Sequence, residues 1–255
     1  FYSVDKQKPR QKRGFLFYKS DLLSFLSYIC VLMSEPKNHI VIAIDGPSGT
    51  GKSTTAKMLS KNLGITYLDT GAMYRAITFV AMSAGVTPSD KEALLSLLQK
   101  TVIDFDSNNQ VLINGFCQES AIRSPEVSEQ VSYYSAVPEI RSALTAKQRE
   151  IGNKHSCILD GRDIGTVVFP NAAFKFFLVT DLKVRAARRY AELIGQGKQV
   201  TLQEVEENLR LRDSIDSSRE VAPLLKAPDA IEIDTTQLSI QQQVEKIQAI
   251  VSVVA

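Results

Sequence analysis

The sequence has no long uninterrupted apolar run, no strong charge of one sign and no clustered metal-ligating residues, and each absence removes a class of function. Thirty Lys and Arg against 28 Asp and Glu leave a net charge of +2. That lacks the basic bias of a nucleic-acid binder, so any anion must meet a local cluster. Cys30, Cys117 and Cys157, with His39 and His155, fall at no spacing that suits a metal site or a disulfide framework. A reducing, cytoplasmic compartment is expected, and all five residues read as structural. The stretch Phe15 to Met33 follows a basic segment, Lys6 to Arg13, in the order of a signal peptide. Lys19, Ser20, Asp21 and Ser24 interrupt it, so it reads neither as a spanning helix nor as a secretory core, and no membrane partner is expected. Residues 1–32 are expected to be an extension outside the fold, ahead of a domain over 33–255.

What is present is enough for one substantial core with a small satellite: 255 residues, 44% apolar and 23% charged. From His39 onward short apolar runs alternate with helical periods, the pattern of an α/β fold with a parallel sheet flanked by helices. Ile40 to Ile44, Cys157 to Leu159, Ala173 to Val179 and Ala230 to Ile233 read as strands covered on both faces. Thr201 with Glu204 and Ser239 with Gln242 fit capping boxes, Ser124 with Pro125 fits a cap followed by proline, and Gly85 ends a helix before a cap at Ser89 with Glu92. Val102 to Asp106 and Gln110 to Ile113 break the alternation as an antiparallel hairpin set. An inserted, acceptor-binding domain is therefore expected at about 88–140.

Gly46 to Ser53 reads GPSGTGKS, a full match to G-x-x-x-x-G-K-[ST], between an apolar strand and a helical stretch whose Ala56, Leu59 and Leu63 can face the sheet. Backbone N–H groups of Gly46, Pro47's successor Ser48, Gly49, Thr50, Gly51, Lys52, Ser53 and Thr54 can surround phosphate oxygens at a helix start. Lys52 reaches the β and γ phosphates of a triphosphate such as ATP, and the Ser53 hydroxyl holds Mg²⁺. The loop serves kinases, GTPases and transport ATPases alike, but the chain has no NKxD segment for guanine and no LSGGQ segment.

Arginines carry the choice. In DTGAMYR, Asp69 or Thr70 caps a helix whose first turn can face an anion, and Arg75 sits one turn on with a fork of donors suited to phosphate. DGRD, directly after a buried strand, puts Asp160, Arg162 and Asp163 at the carboxyl end of the sheet, where open α/β folds bind ligands. Asp160 is a candidate support for Mg²⁺, with a water as an allowed bridge. Arg185, Arg188 and Arg189 follow Asp181 on one helix, and Arg210 and Arg212, then Asp216 and Arg219, follow on the next. Mobile arginines closing over a transferring phosphoryl group stabilise its charge and exclude water, and Gly195 and Gly197 offer hinge freedom. These residues alone leave open another nucleotide kinase, or a nucleotide-dependent switch.

GPSGTGKS, DTGAMYR, VSYYSAVPEIR, DGRDIGTVVFP and the RDSIDSSREVAPL that begins at Arg212 together resemble bacterial CMP kinase over about residues 38 to 250. The resemblance implies transfer from ATP to CMP or dCMP in a fold with a core, an acceptor insert and a mobile helical lid at about 184–200, and a monomer is expected. It implies that Ser132, Arg141 and Asp163 recognise cytosine, and that Thr70, Arg75 and Arg162 hold the acceptor phosphate. It further implies that Arg212 and Asp216 contact the sugar, that Arg219 is shared between base and phosphate, and that Arg185, Arg188 and Arg189 act from the lid. Thr70 stands where some members have Ser, which keeps the hydroxyl.

Overall fold

Ile40 to Ile44 predicts a strand covered on both faces, and β1 (Val41–Asp45) is that strand, with all five residues buried. The computed structural model describes residues 39–106 and 108–254. These lie in a unit that runs from His39 to Ala255. The expectations placed on residues 1–32, on Met33 and on Cys30 fall outside the described residues. β1 is central in a five-stranded sheet of order β2-β6-β1-β7-β8, completed by β2 (Thr66–Asp69), β6 (Cys157–Gly161), β7 (Phe174–Val179) and β8 (Ile231–Asp234). All four pairings are parallel, as continuous apolar strands linked by helices require. β8 differs from its expectation. It is an edge strand in which only Ile233 is buried, because β7 is its sole sheet neighbour.

The flanking helices bury the faces that their periodicity predicts. In α1 (Lys52–Leu63) Ala56 and Leu59 are fully buried in a cluster with Ile42, Ile44 and Ile158 of the sheet and Val244 and Ile247 of α9 (Ile240–Val254). Burying a Leu or Ile of this kind contributes about 1.5–3 kcal/mol each. Ser239 and Gln242 form the expected reciprocal bonds at the start of α9. Beside the sheet, β3 (Ile103–Phe105), β4 (Val111–Ile113) and the two-residue β5 (Phe116–Cys117) form the antiparallel set read from 102–113.

A second apolar cluster joins this small sheet to α2 (Thr70–Ser83), α3 (Lys91–Lys100), α4 (Glu119–Ile122), α5 (Pro125–Ser135) and α6 (Pro138–Gly152). Met73 and Ile77 from α2 and Ile140 and Leu144 from α6 belong to it, so its packing extends past 88 and 140 on both sides. The cap of α3 is Asp90, whose carboxylate accepts the Ala93 N–H; the expected Ser89 instead bonds Thr87. Ser124 caps α5 with Pro125 following, as expected. Two further helices follow β7: α7 (Leu182–Gly195), capped by Asp181, and α8 (Leu202–Ser218), which starts in the Thr201–Glu204 capping box.

Candidate active site

At the end of β1 the chain must turn sharply beside β7, and Gly46 is there because a Cβ would lie 2.3 Å from the Leu178 carbonyl oxygen. Its φ of +147° and the +91° of Gly51 shape the loop that leads into α1. Asp45 braces the base of the loop. Its carboxylate accepts the N–H groups of Ile164 and Gly165 at 2.9 and 2.7 Å, which ties β1 to a single π-turn over Ile164–Val168 after DGRD. Burial pushes the Asp45 carboxyl up to about 6, against the lowering effect of those two bonds.

One cavity of about 480 Å³ opens over the carboxyl edge of β1, β2 and β6, and it collects most of the residues singled out in the sequence. From the glycine-rich loop come Ser48, Gly49, Gly51, Lys52, Ser53 and Thr54; Gly46, Pro47 and Thr50 stand behind the lining. Lys52 is buried and folds back on the loop, Nζ donating to the Pro47 carbonyl at 2.5 Å and to Thr50 Oγ1 at 3.4 Å. Burial, then the neighbouring Arg162, holds its ammonium well below the ordinary lysine range. Ser53 Oγ donates to Asp160 Oδ2 at 2.6 Å, and the Tyr67 hydroxyl donates to Asp160 Oδ1 at 2.8 Å. Burial lifts the Asp160 carboxyl to about 6, with Asp69 adding to the effect. Two oxygen donors side by side, one a carboxylate short of positive charge, suit a hard cation such as Mg²⁺. Among the described residues no cluster of three or more His, Cys, Asp or Glu forms a self-sufficient metal site. A cation here would therefore share its ligands with a bound phosphate.

The residues expected to bind the acceptor line the same cavity as the loop. Asp69, not Thr70, caps α2, accepting the Ala72 N–H at 2.8 Å, while Thr70 Oγ1 donates to the Asp160 carbonyl at 2.6 Å. Arg75 donates to Ser128 Oγ at 2.7 Å. Burial and the nearby Arg212 and Arg123 pull its guanidinium down to about 9. Arg162 donates to Asp216 at 2.7 Å, and Arg162 and Arg219 hold the Asp216 carboxyl below the usual range although burial opposes them. Arg141 and Asp163 form an ion pair at 2.5 Å with both side chains at most 5% exposed, and Arg141 lies over the Tyr74 ring, 5.3 Å from its centre. Tyr74 Oη, Arg141 Nε, Arg212 Nε and Arg219 Nη2 are buried there without a hydrogen-bond partner. Buried polar atoms of this kind are costly unless something completes them.

Two groups depart from the sequence expectations. Arg185 is not on the cavity wall: it donates to the carbonyls of Thr180 and Ser48 and pairs with Asp213, while Arg188 and Arg189 from the same helix do line the cavity. Arg123, not singled out from the sequence, lines the cavity and pairs with Asp69 at 2.9 Å and with Glu119. Its position just before the Ser124 cap gives no signal of this. Asp45 was not singled out either, although a carboxylate ending an apolar strand is a signal that could have found it. The cavity wall carries nine cationic side chains, Lys52, Arg75, Arg123, Arg141, Arg162, Arg188, Arg189, Arg212 and Arg219, against five carboxylates, Asp69, Asp160, Asp163, Glu192 and Asp216. An excess of this size in a partly dry cleft is a site built for a multiply charged anion.

The family model described as Cytidylate kinase matches residues 42–253. A Rad17 P-loop domain model matches residues 2–79, a stretch that includes the glycine-rich loop. Proteins named cytidylate kinase resemble the chain along most of its length. One from Geobacillus sp. (strain WCH70) is 48% identical over 219 residues, covering 85% of this chain and 98% of the relative. Another from Clostridioides difficile (strain 630) is 48% identical over 209 residues, covering 82% and 96%. A third, from Clostridium tetani (strain Massachusetts / E88), is 45% identical and covers 84% and 94%.

Proposed function

The chain belongs to the cytidylate kinase family, and from that premise we propose the part each cavity residue takes in moving the γ-phosphoryl group of ATP to CMP or dCMP. The enzyme is an ATP-dependent kinase, giving ADP and the nucleoside diphosphate. The observation that carries the reading is one cavity with nine cations to five carboxylates, lined both by the loop read as the donor-phosphate cradle and by the arginine cluster read as the acceptor side. Two phosphate-bearing substrates bring the negative charge that this wall lacks.

The donor phosphates lie on the N–H groups from Ser48 to Thr54, and Lys52 leaves its Pro47 contact for them. Arg162, Arg188 and Arg189 stabilise charge on the transferring group. Ser53, with Asp160 through a water, would hold Mg²⁺, which when bound screens the donor phosphates and orients them. Thr70, Arg75 and Arg162 hold the acceptor phosphate, Arg212 and Asp216 its sugar, and Ser132, Arg141 and Asp163 its base, with Arg219 between base and phosphate. Arg123 and Tyr74 join them on the strength of their place in the wall. The acceptor phosphate is a competent nucleophile, so no covalent intermediate and no general base are needed, and catalysis is positioning plus charge stabilisation.

The 88–140 segment serves as the acceptor insert and 184–200 as the lid. A cytoplasmic monomer acting without nucleic acid or membrane is the working form in this reading, and the near-neutral charge supports the part that concerns nucleic acid. Incubation with ATP, Mg²⁺ and each nucleoside monophosphate in turn, following ADP release, tests it. Turnover should require CMP or dCMP. Equal turnover with AMP or UMP would remove the cytosine assignment, and ATP hydrolysis indifferent to any monophosphate would favour a switch protein.

A further inference from the structure

α8 faces two ways. Arg212 and Asp216 look into the acceptor side of the cavity, with Arg219 just past the helix end, while Asp213, next in sequence to Arg212, reaches the donor loop. Asp213 Oδ1 accepts the Ser48 N–H at 3.3 Å, and Oδ2 accepts Arg185 Nη1 at 2.6 Å. The same Arg185 nitrogen donates to the Ser48 carbonyl at 3.0 Å, and Arg185 Nε is anchored on the Thr180 carbonyl at 3.1 Å. Both peptide groups of Ser48 are thus held by one ion pair, whose members come from α7 and α8. The loop also packs on the arginine, since a Cβ on Gly49 would sit 3.4 Å from Arg185 Cβ.

We infer that Asp213 is a positioning residue that couples the acceptor to the donor loop, acting through Arg185 on Ser48. The inference rests on the kinase reading above. An acceptor that engages Arg212 and Asp216 fixes the face of α8 next to Asp213, and this sets both the Ser48 N–H and the guanidinium beneath Gly49. Loop geometry suited to the donor phosphates is then favoured when the acceptor is in place. By reciprocity the donor should tighten acceptor binding to the same degree. The ion pair is partly shielded, with Arg185 and Asp213 side chains 7% and 21% exposed, so its geometry is held more firmly than that of a surface pair.

The test measures binding of a non-hydrolysable ATP analogue, with and without saturating CMP, by calorimetry on the full chain. Wild type should bind the analogue roughly 5- to 150-fold more tightly with CMP present, the usual range of such coupling. Asp213→Asn, which keeps the shape and loses the charge, should bring that ratio towards one while changing affinity for CMP alone by less than about threefold. Arg185→Lys should do the same, and melting temperatures report whether each variant is folded. A purely structural Asp213 would weaken the analogue equally in both conditions and leave the ratio intact, which overturns the proposal. So does a wild type that binds both ligands with no mutual effect. A wild type that binds no CMP at all refutes the kinase reading and the coupling with it.

Discussion

Replacing Arg75 by Met should make the protein more stable and a worse enzyme. Arg75 is half-buried and donates one bond, to Ser128, while burial, Arg212 and Arg123 pull its guanidinium down to about 9. At pH 7 it is still charged, so the folded state carries the whole cost of that shift, nominally about 5 kcal/mol. Solvent reaches one side of the group and screens it, which reduces the figure to roughly 1–3 kcal/mol. Met fills a similar length without the charge, so the variant should melt about 2–10 °C higher in the absence of nucleotide. The same change removes charge-assisted bonds to the acceptor phosphate, each about 1.5–3 kcal/mol, and kcat/KM for CMP should fall at least tenfold to 150-fold. Melting curves with and without CMP, alongside steady-state kinetics, check both halves. In wild type CMP should raise the melting temperature strongly by discharging the cluster, and in Arg75→Met much less. A variant that melts lower than wild type without ligand would falsify the view that the arginines are held against their own repulsion for an anion.

Lys52→Ala should fold and lose turnover by orders of magnitude, because the charge that it supplies matters most in the transition state; near wild-type kcat would remove the loop from the donor site. Asp163 is paired with buried Arg141, so Asp163→Ala would strand a cation at a cost of about 3–5 kcal/mol, and Asp163→Asn is the better probe. It should lower kcat/KM for CMP roughly tenfold to 150-fold and for UMP much less, whereas an unchanged CMP-to-UMP ratio removes Asp163 from base reading. Asp45 has its carboxyl raised from 3.8 to about 6 by burial, so the stability it contributes is present below about pH 4 and lost as the pH rises through 6. Asp45→Asn does not titrate, and its stability relative to wild type should improve by up to roughly 3 kcal/mol between pH 4 and pH 7. Urea unfolding midpoints across that range would show it, and a flat difference would contradict the assignment.

The parallel core was legible because its signals are local. A run such as VIAI needs cover on both faces, and a glycine-rich loop between strand and helix has one common use, so β1, the loop and α1 follow from neighbours in sequence. The capping box at Thr201 and the hairpin at 102–113 were readable for the same reason. The base-reading expectation for Ser132, Arg141 and Asp163 came only from family motifs, since nothing local says that Ser132 and Asp163 share a wall.

The class of fold, the glycine-rich loop and the excess of arginine after it are written in contiguous residues whose backbone preferences and periodicity act over a few positions, so they can be read without the fold. That Arg185 turns from the cavity to the loop, that Arg123 joins the cluster, and that Asp213 reaches Ser48 across 165 positions emerges only in the folded chain. Those outcomes depend on which way a side chain leaves its helix and what packs opposite it. That is set by the docking of α7, α8 and α4 against the sheet and its neighbours, and no short stretch of sequence contains it.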